Sequence, residues 1–190
     1  AGFLPVVIVL APMYGGAAVL IRETGRRLGG GWPTLVLLAA AFGLAQAGLV
    51  DQSLFNRDFL DDTEFASLAG GAEATWVPVI GVSAQQVVTY VGNHIALSIC
   101  APIAIVESYL SPGRRQRPWL GRGGLAVVAV LYLLGSLLIF SDDGGRKGFL
   151  ASGAQLGGAA LAVAALVGLA ALPRWRHRRR RSGPARRRAG

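Results

Sequence analysis

The side chains that could do chemistry in this chain are few. His94 is the one histidine inside a long apolar stretch, and near neutral pH an imidazole can shuttle a proton, bind a metal ion or act as a base. At a helical spacing of about 100° per residue, Tyr90 and Asn93 fall close to it. Gln46 is the single polar residue in a second apolar run, residues 35–50. Polar groups at membrane depth are costly and are functional hypotheses by default, so we define a candidate intramembrane polar cluster: Gln46, Tyr90, Asn93 and His94.

Two interpretations of this cluster stay open. In the one we favour, neutral Gln, Asn and His side chains satisfy one another between helices without a substrate, for instance His94 with Gln46. In the other, they line a site or a path. A Ser/His/Asp triad has weak support because the sequence has no GxSxG elbow, and no phosphate-binding glycine pattern opens a helix after a strand. We therefore expect no catalytic residue, no bound metal and no cofactor.

Two further side chains bear on the site chemistry. The single cysteine, Cys100, excludes an intrachain disulfide and a thiolate metal cluster. Glu107 lies at the end of its apolar segment, where the dipole of a helix C-terminus disfavours a carboxylate. We expect an arginine from the following loop, 114–122, to pair with it.

The elements that must position these residues are membrane helices. The chain has 190 residues, is 53% hydrophobic and only 15% charged, and its apolar residues fall in long uncharged blocks. Crossing a hydrocarbon core of about 30 Å takes about 20 such residues in a helix. We predict an all-α polytopic transmembrane helical bundle of about five spans, over residues 3–21, 33–50, 84–106, 124–140 and 149–172. They form one transmembrane domain, 1–172, followed by a basic disordered cytoplasmic tail, 173–190.

Charge predicts the orientation of the bundle. The formal net charge is +9, and 16 of the 19 basic residues follow the first, third and fifth spans. The positive-inside rule places these connections in the cytoplasm and the N-terminal end of the sequence outside, in a bacterial cell membrane. We expect the lipid bilayer as partner, without nucleic acid, and contacts with anionic headgroups from arginines of the tail. These are Arg174, Arg176, Arg178, Arg179, Arg180 and Arg181.

Local patterns predict how the helices begin and pack. Ser83 and Gln86 form a capping-box signature at the start of the third span. Small residues at regular spacing predict flat packing faces on two spans. On the second span these are Ala39, Gly43 and Ala47, and on the fifth they are Gly153, Gly157, Ala160, Ala164 and Gly168. The connection 51–85 mixes acidic and large apolar residues, so it is either an interfacial or re-entrant piece over the bundle or a solvated loop.

Three stretches carry a resemblance: GWPTLVLLAAAFGLAQAGLVDQSLFN, SICAPIAIVES and PWLGRGGLAVVAVLYLLGS. They resemble an uncharacterised group of polytopic membrane proteins from GC-rich bacteria, which implies a membrane location and no established activity. Tyr90 to His94 is also similar to the Phe-x-x-x-His motif of CAAX-protease-like intramembrane enzymes. Their Glu-Glu-x-x-x-Arg motif is absent, with Gln46 and Ala47 in its place, and their His-x-x-x-Asn/Asp motif has no histidine in a span. The resemblance therefore implies an inactive copy.

We therefore predict a non-enzymatic integral membrane protein of undetermined biochemical role. A degenerate CAAX-protease-like hydrolase is the first alternative, and a small transporter or transporter subunit is the second. The three make different predictions for His94→Ala, which should lower stability only, abolish proteolysis or alter flux, respectively.

Overall fold

The long apolar blocks of the sequence become long helices in the computed structural model, which describes residues 3–61, 66–146 and 148–175. The five long helices are α1 (Phe3–Arg27), α2 (Trp32–Val50), α4 (Ala84–Ser108), α6 (Arg122–Arg146) and α7 (Gly153–Ala170). Two short helices are α3 (Ala69–Ala74) and α5 (Pro112–Arg115). A small antiparallel hairpin pairs β1 (Trp76–Val77) with β2 (Val82–Ser83). The predicted all-α bundle is confirmed.

Four helices are long and apolar enough to cross a membrane: α2, α4, α6 and α7, judged over the described residues. The outer face of α6 exposes large aliphatic side chains such as Val127, Leu133 and Leu137. Such a face would be a large apolar patch in water, whereas in a bilayer it meets lipid tails. The fifth long helix, α1, ends in Arg26 and Arg27, and its crossing of the membrane stays a prediction from the sequence.

The helices pack in two pairs, and α4 contacts one helix of each pair. α1 packs along α6, α2 packs along α7, and α4 contacts both α1 and α2. The main core lies where α1, α2 and α4 meet, and its centre is Leu35, Ala39 and Ile99, which are fully buried. A second core joins the end of α2 to the start of α7 and includes Ala47 and Ala159.

The packing face predicted on α2 is confirmed. Ala39 and Ala47 are fully buried, and Gly43 lies directly against α4. A Cβ atom added to Gly43 would lie 3.0 Å from the His94 Cβ atom and 3.1 Å from the Val91 carbonyl oxygen. Only a glycine therefore allows α2 and α4 to approach this closely without a shift.

The packing face predicted on α7 is wrong. Gly153 and Gly157 are exposed, and a Cβ atom added to either would meet open space. α7 instead buries Ala159 and Ala170. Small residues occupy several faces of this helix, so their spacing alone does not select the face that packs.

The last two helices have ends that differ from the predicted spans. Ser152 caps α7 through a capping box with Gln155, so the helix starts at Gly153 rather than at 149. The Ala151 N–H group donates to the Gln52 side-chain oxygen at 2.7 Å, which holds the chain just before the cap. α6 continues to Arg146, beyond the predicted end of its span at residue 140.

The C-terminal tail is described only at its start. Pro173–Trp175 forms a 3₁₀ turn at the start of the predicted tail, whose disorder stays a prediction. The Trp175 indole N–H group donates to the Leu169 carbonyl oxygen at 2.8 Å, and the Trp175 carbonyl oxygen accepts from the Gly31 N–H group at 3.2 Å. Residues 176–190, which include five of the six predicted lipid-contacting arginines, lie outside the described residues.

The connection between α2 and α4 folds over one end of the bundle. Leu54 and Phe55 are buried in the second core, and Leu60 is buried as well. Gln52 adopts a left-handed backbone conformation, φ 56°, which turns the chain sharply after α2. The first part of this connection, residues 52–60, is therefore packed against the bundle, and the solvated-loop interpretation is wrong for it. Most side chains of residues 66–81 are exposed, Val79 by 94%.

Candidate functional site

Gln46 lies at the start of a π-helical turn, Gln46–Val50, that ends α2. π-helical turns are rare and often mark functional sites. The Gln46 side-chain oxygen accepts from the Tyr132 hydroxyl group at 3.3 Å and from the Ser136 hydroxyl group at 3.5 Å. Its NH₂ group lies 3.6 Å from the Met13 sulfur atom. The amide thus links α2 to α6 and α1 inside the bundle, where its polar atoms would otherwise be unpaired.

His94 also starts a π-helical segment, His94–Cys100, within α4. Its Nδ1 atom lies 3.3 Å from the Ser98 hydroxyl oxygen, one turn further along the helix. The imidazole packs against two aromatic rings, with centroid distances of 5.5 Å to Tyr14 and 5.6 Å to Phe42. His94 is therefore enclosed by its own helix and by aromatic groups of α1 and α2.

The structure does not bring the four residues of the predicted polar cluster together. Gln46 pairs with α6 and His94 pairs with Ser98, and within the described part of the chain no hydrogen bond joins the two. Tyr90 packs edge-on against Phe59 at a centroid distance of 5.6 Å. Asn93 is exposed. The expected pairing of His94 with Gln46 is not found because each has a nearer partner, and any functional role of these residues stays a prediction.

A second polar cluster lies at the end of the bundle where the arginines gather. We call it the ion-pair cluster, and its members are Arg22, Glu23, Arg26, Arg27 and Glu107. Glu107 Oε1 accepts from Arg22 Nε at 3.0 Å and from Arg26 Nε at 3.1 Å, and Glu107 Oε2 accepts from Arg26 Nη2 at 2.6 Å. Glu23 pairs with Arg22 at 2.9 Å and with Arg27 at 2.8 Å. All members except Arg27 are buried.

The partners of Glu107 correct the prediction from the sequence. We expected an arginine from loop 114–122, but its partners are Arg22 and Arg26 at the end of α1. The reason is position: α1 and α4 end side by side, and Arg22 and Arg26 lie one helical turn apart on one face. The i, i+4 spacing of Arg22 and Arg26 can be read from the sequence, but there the two arginines served only to predict the orientation of the bundle.

The loop after α4 is bound to the ion-pair cluster through its backbone. The Arg22 guanidinium donates to the carbonyl oxygens of Arg115 at 3.0 Å and Arg117 at 3.3 Å, and its central carbon lies 3.2 Å from the centre of the Trp119 ring. Glu23 accepts from the N–H groups of Trp119 at 2.8 Å and Leu120 at 3.1 Å. Charge-assisted bonds of this kind are the stronger ones, so the end of α1 fixes the path of this loop.

The chemistry that these clusters support is structural pairing. The ion-pair cluster sets three guanidinium groups against two carboxylates, and each carboxylate accepts hydrogen bonds through both of its oxygens. Over the residues that the structure describes, no group of three or more His, Cys, Asp or Glu side chains is placed to hold a metal ion.

Comparison with known proteins gives one match. Neither the curated proteins nor the solved structures contain a match to the chain. A family model described as an uncharacterized membrane protein family matches residues 3–179, which include every helix described above and both polar clusters. A match over nearly the whole chain agrees with the apolar helices of the bundle. The chain is a multi-pass membrane protein and belongs to this uncharacterized membrane protein family.

Proposed function

We propose that this membrane protein is a non-enzymatic bundle that presents a fixed arginine surface to anionic lipid headgroups at the cytoplasmic face. The observation that carries the proposal is the buried Arg22 guanidinium, which holds the backbone of the loop after α4 through the carbonyl groups of Arg115 and Arg117. Because those carbonyl groups are bound inside, the loop keeps one path while it displays its own arginines.

The interior of the bundle supports a non-enzymatic role. The Gln46 side-chain oxygen accepts hydrogen bonds from Tyr132 and Ser136. The His94 ring contacts Ser98 and packs against two aromatic rings. Polar groups that pair within the chain join helices without requiring a substrate.

The loop after α4 supports the lipid contact. The exposed residues Arg114 and Arg117 line an open groove of about 450 Å³ together with Val106, Leu110 and Trp119. Guanidinium groups bind phosphate through two parallel hydrogen bonds, and the apolar residues at the end of α4 offer a wall for an acyl chain. Arg174, which stacks on Trp175 with its central carbon 4.4 Å from the ring centre, follows α7 at the same end of the bundle.

The orientation follows from charge. The ends of α1, α4 and α7 meet at one end of the bundle, as shown by the bonds from Arg22 to the loop and from Gly31 to Trp175. The positive-inside rule assigns this arginine-rich end to the cytoplasm of a bacterial cell.

Retention of lipid by the purified protein tests this proposal. Native mass spectrometry would compare phosphatidylglycerol with phosphatidylcholine on the wild type and on the double variant Arg114→Gln, Arg117→Gln. We expect the wild type to prefer phosphatidylglycerol. In the double variant the ratio of retained phosphatidylglycerol to phosphatidylcholine should fall about tenfold, since each arginine near anionic lipid contributes up to about 1 kcal/mol. Arg57→Gln, at an exposed site on the connection between α2 and α4, is the matched control. Equal preference in the wild type and the double variant would refute the proposal.

A CAAX-protease-like hydrolase is the second candidate, because a π-helical segment begins at His94 within the motif-like stretch from Tyr90 to His94. Metal content and melting temperature of detergent-purified wild type, His94→Ala and Gln46→Ala separate it from the first. A structural bundle predicts lower melting temperatures in both variants and no difference in zinc. Zinc retained by the wild type and lost from either variant would favour the hydrolase, and altered solute flux from His94→Ala in vesicles would favour a transporter.

A further inference from the structure

A cavity of about 330 Å³ lies at the start of α4, at the opposite end of that helix from the arginine loop. We call it the α4 cavity. One wall comes from the connection between α2 and α4, and the other comes from the first three turns of α4. Its described lining residues are Leu60, Leu68, Gln85, Gln86, Thr89, Tyr90 and Asn93. Its volume is within the range of small-molecule sites.

Gln86 is the unusual residue of the α4 cavity. Its side chain is 1% exposed, and neither its amide nitrogen nor its amide oxygen has a hydrogen-bond partner in the described structure. The predicted capping box is only half formed, because the Ser83 hydroxyl group accepts from the Gln86 backbone N–H at 3.3 Å while the side chain returns no bond. A buried donor and acceptor that stay unpaired carry the full desolvation penalty, so such groups are rare unless something binds them.

The lining defines the chemistry of a partner. The described lining residues carry no formal charge, and their amide and hydroxyl groups each donate and accept. A carboxylate or phosphate accepts only and would leave the Gln86 amide oxygen unpaired, whereas an ammonium group donates only and would leave the amide nitrogen unpaired. Hydroxyl groups do both, so a polyhydroxyl group matches the two orphaned atoms.

The location defines the rest of the partner. α4 is a candidate membrane span, so the cavity at its start opens where lipid headgroups lie. Leu60 and Leu68 give the cavity an apolar wall beside its polar groups. A molecule with an uncharged polar head and an apolar body fits both features.

We propose that the α4 cavity binds the sugar headgroup of an uncharged glycolipid, with Gln86 both donating to and accepting from its hydroxyl groups. This inference is independent of the proposed anionic-lipid surface, because it concerns the other end of α4 and a headgroup without charge. Failure of one proposal therefore leaves the other unaffected.

Native mass spectrometry of the full chain, purified in a detergent without a sugar headgroup, tests the proposal with glucosyl diacylglycerol as the probe. Diacylglycerol tests whether the acyl chains suffice. Phosphatidylglycerol, which should bind at the arginine loop, tests whether the effect of Gln86 is confined to the sugar headgroup. We expect the wild type to retain the glucosyl lipid about tenfold better than diacylglycerol, as the loss of one or two hydrogen bonds implies, and changes at Gln86 to leave the retention of phosphatidylglycerol unchanged. Gln86→Leu should reduce retention to the level of diacylglycerol. Gln116→Leu, at an exposed glutamine beyond the other end of α4, should leave it unchanged.

A second variant separates the cavity from the fold. Leu68→Trp fills the space from the opposite wall without altering Gln86, and Leu68 is partly exposed, so the larger ring can be accommodated. It should also abolish retention of the glucosyl lipid. Equal retention by wild type and both variants would overturn the proposal. A wild type that retains the glucosyl lipid no better than diacylglycerol would also overturn the proposal. That result would indicate that ordered water forms the hydrogen bonds of the Gln86 amide.

Discussion

Replacing Glu107 by glutamine should be among the most damaging conservative changes in this protein. The side chain keeps its size but loses the charge that faces Arg22 and Arg26, whose nitrogen atoms lie 2.6 to 3.1 Å from its oxygens. Glu107 is only 4% exposed, so water cannot replace the lost carboxylate. Removing one partner from a buried ion pair costs about 3–5 kcal/mol, and we expect Glu107→Gln to lie in this range. That is a large share of the 5–15 kcal/mol that typically separates folded from unfolded states.

The free energy of unfolding in mixed micelles, titrated with a denaturing detergent, measures this effect. Tryptophan fluorescence is a suitable signal because the Trp119 ring lies against Arg22 at the edge of the cluster. Glu73→Gln is the matched control, since Glu73 is 63% exposed by side chain and pairs with Arg57 at 3.6 Å. An exposed pair of this kind contributes about 0–1 kcal/mol. A free energy of unfolding for Glu107→Gln that is indistinguishable from that of Glu73→Gln would refute the role assigned to the ion-pair cluster.

Two further predictions concern packing and capping, and melting temperature in detergent checks both. Gly43→Ala should destabilise the protein by about 1–3 kcal/mol, because the added Cβ atom lies 3.0 Å from His94 Cβ. Gly157→Ala, where the added atom meets open space, should be neutral or stabilise by up to about 1 kcal/mol, and equal losses from the two changes would contradict the packing described for α2. Ser152→Ala should cost about 1 kcal/mol by removing the cap of α7, and an unchanged melting temperature would show that the cap is not needed.

The bundle could be predicted because its causes are local. Long uncharged apolar blocks predict membrane helices wherever they occur, and four of the five were recovered as helices that can span a membrane. Close packing at Gly43 was also predicted, from the row Ala39, Gly43 and Ala47, although α2 has small residues on other faces as well, such as Ala41 and Ala45. The face of α7 was not, since alanine and glycine occur around its whole circumference.

The partners of the polar residues could not be predicted because they are distant in sequence. Glu107 pairs with Arg22, 85 positions earlier, whereas the nearest arginines along the chain contribute only backbone groups. Gln46 pairs with Tyr132 and Ser136, which look like ordinary residues of an apolar helix until the fold brings them near. The half-formed capping box at Gln86 shows the same limit, because the motif predicts the backbone bond but not the fate of the side chain.

The separation of Arg22 from Glu107 also sets an order for biogenesis. The ribosome delivers Arg22 and Arg26 long before the carboxylate that binds both of them has been synthesised, so until then Glu23 is the one carboxylate of the cluster available to them. The end of α1 can therefore settle only after the third long helix has entered the membrane and brought Glu107 beside it. A nascent chain stopped before residue 107 would carry α1 without Glu107, so its two guanidinium groups would have to bind water or lipid phosphate instead.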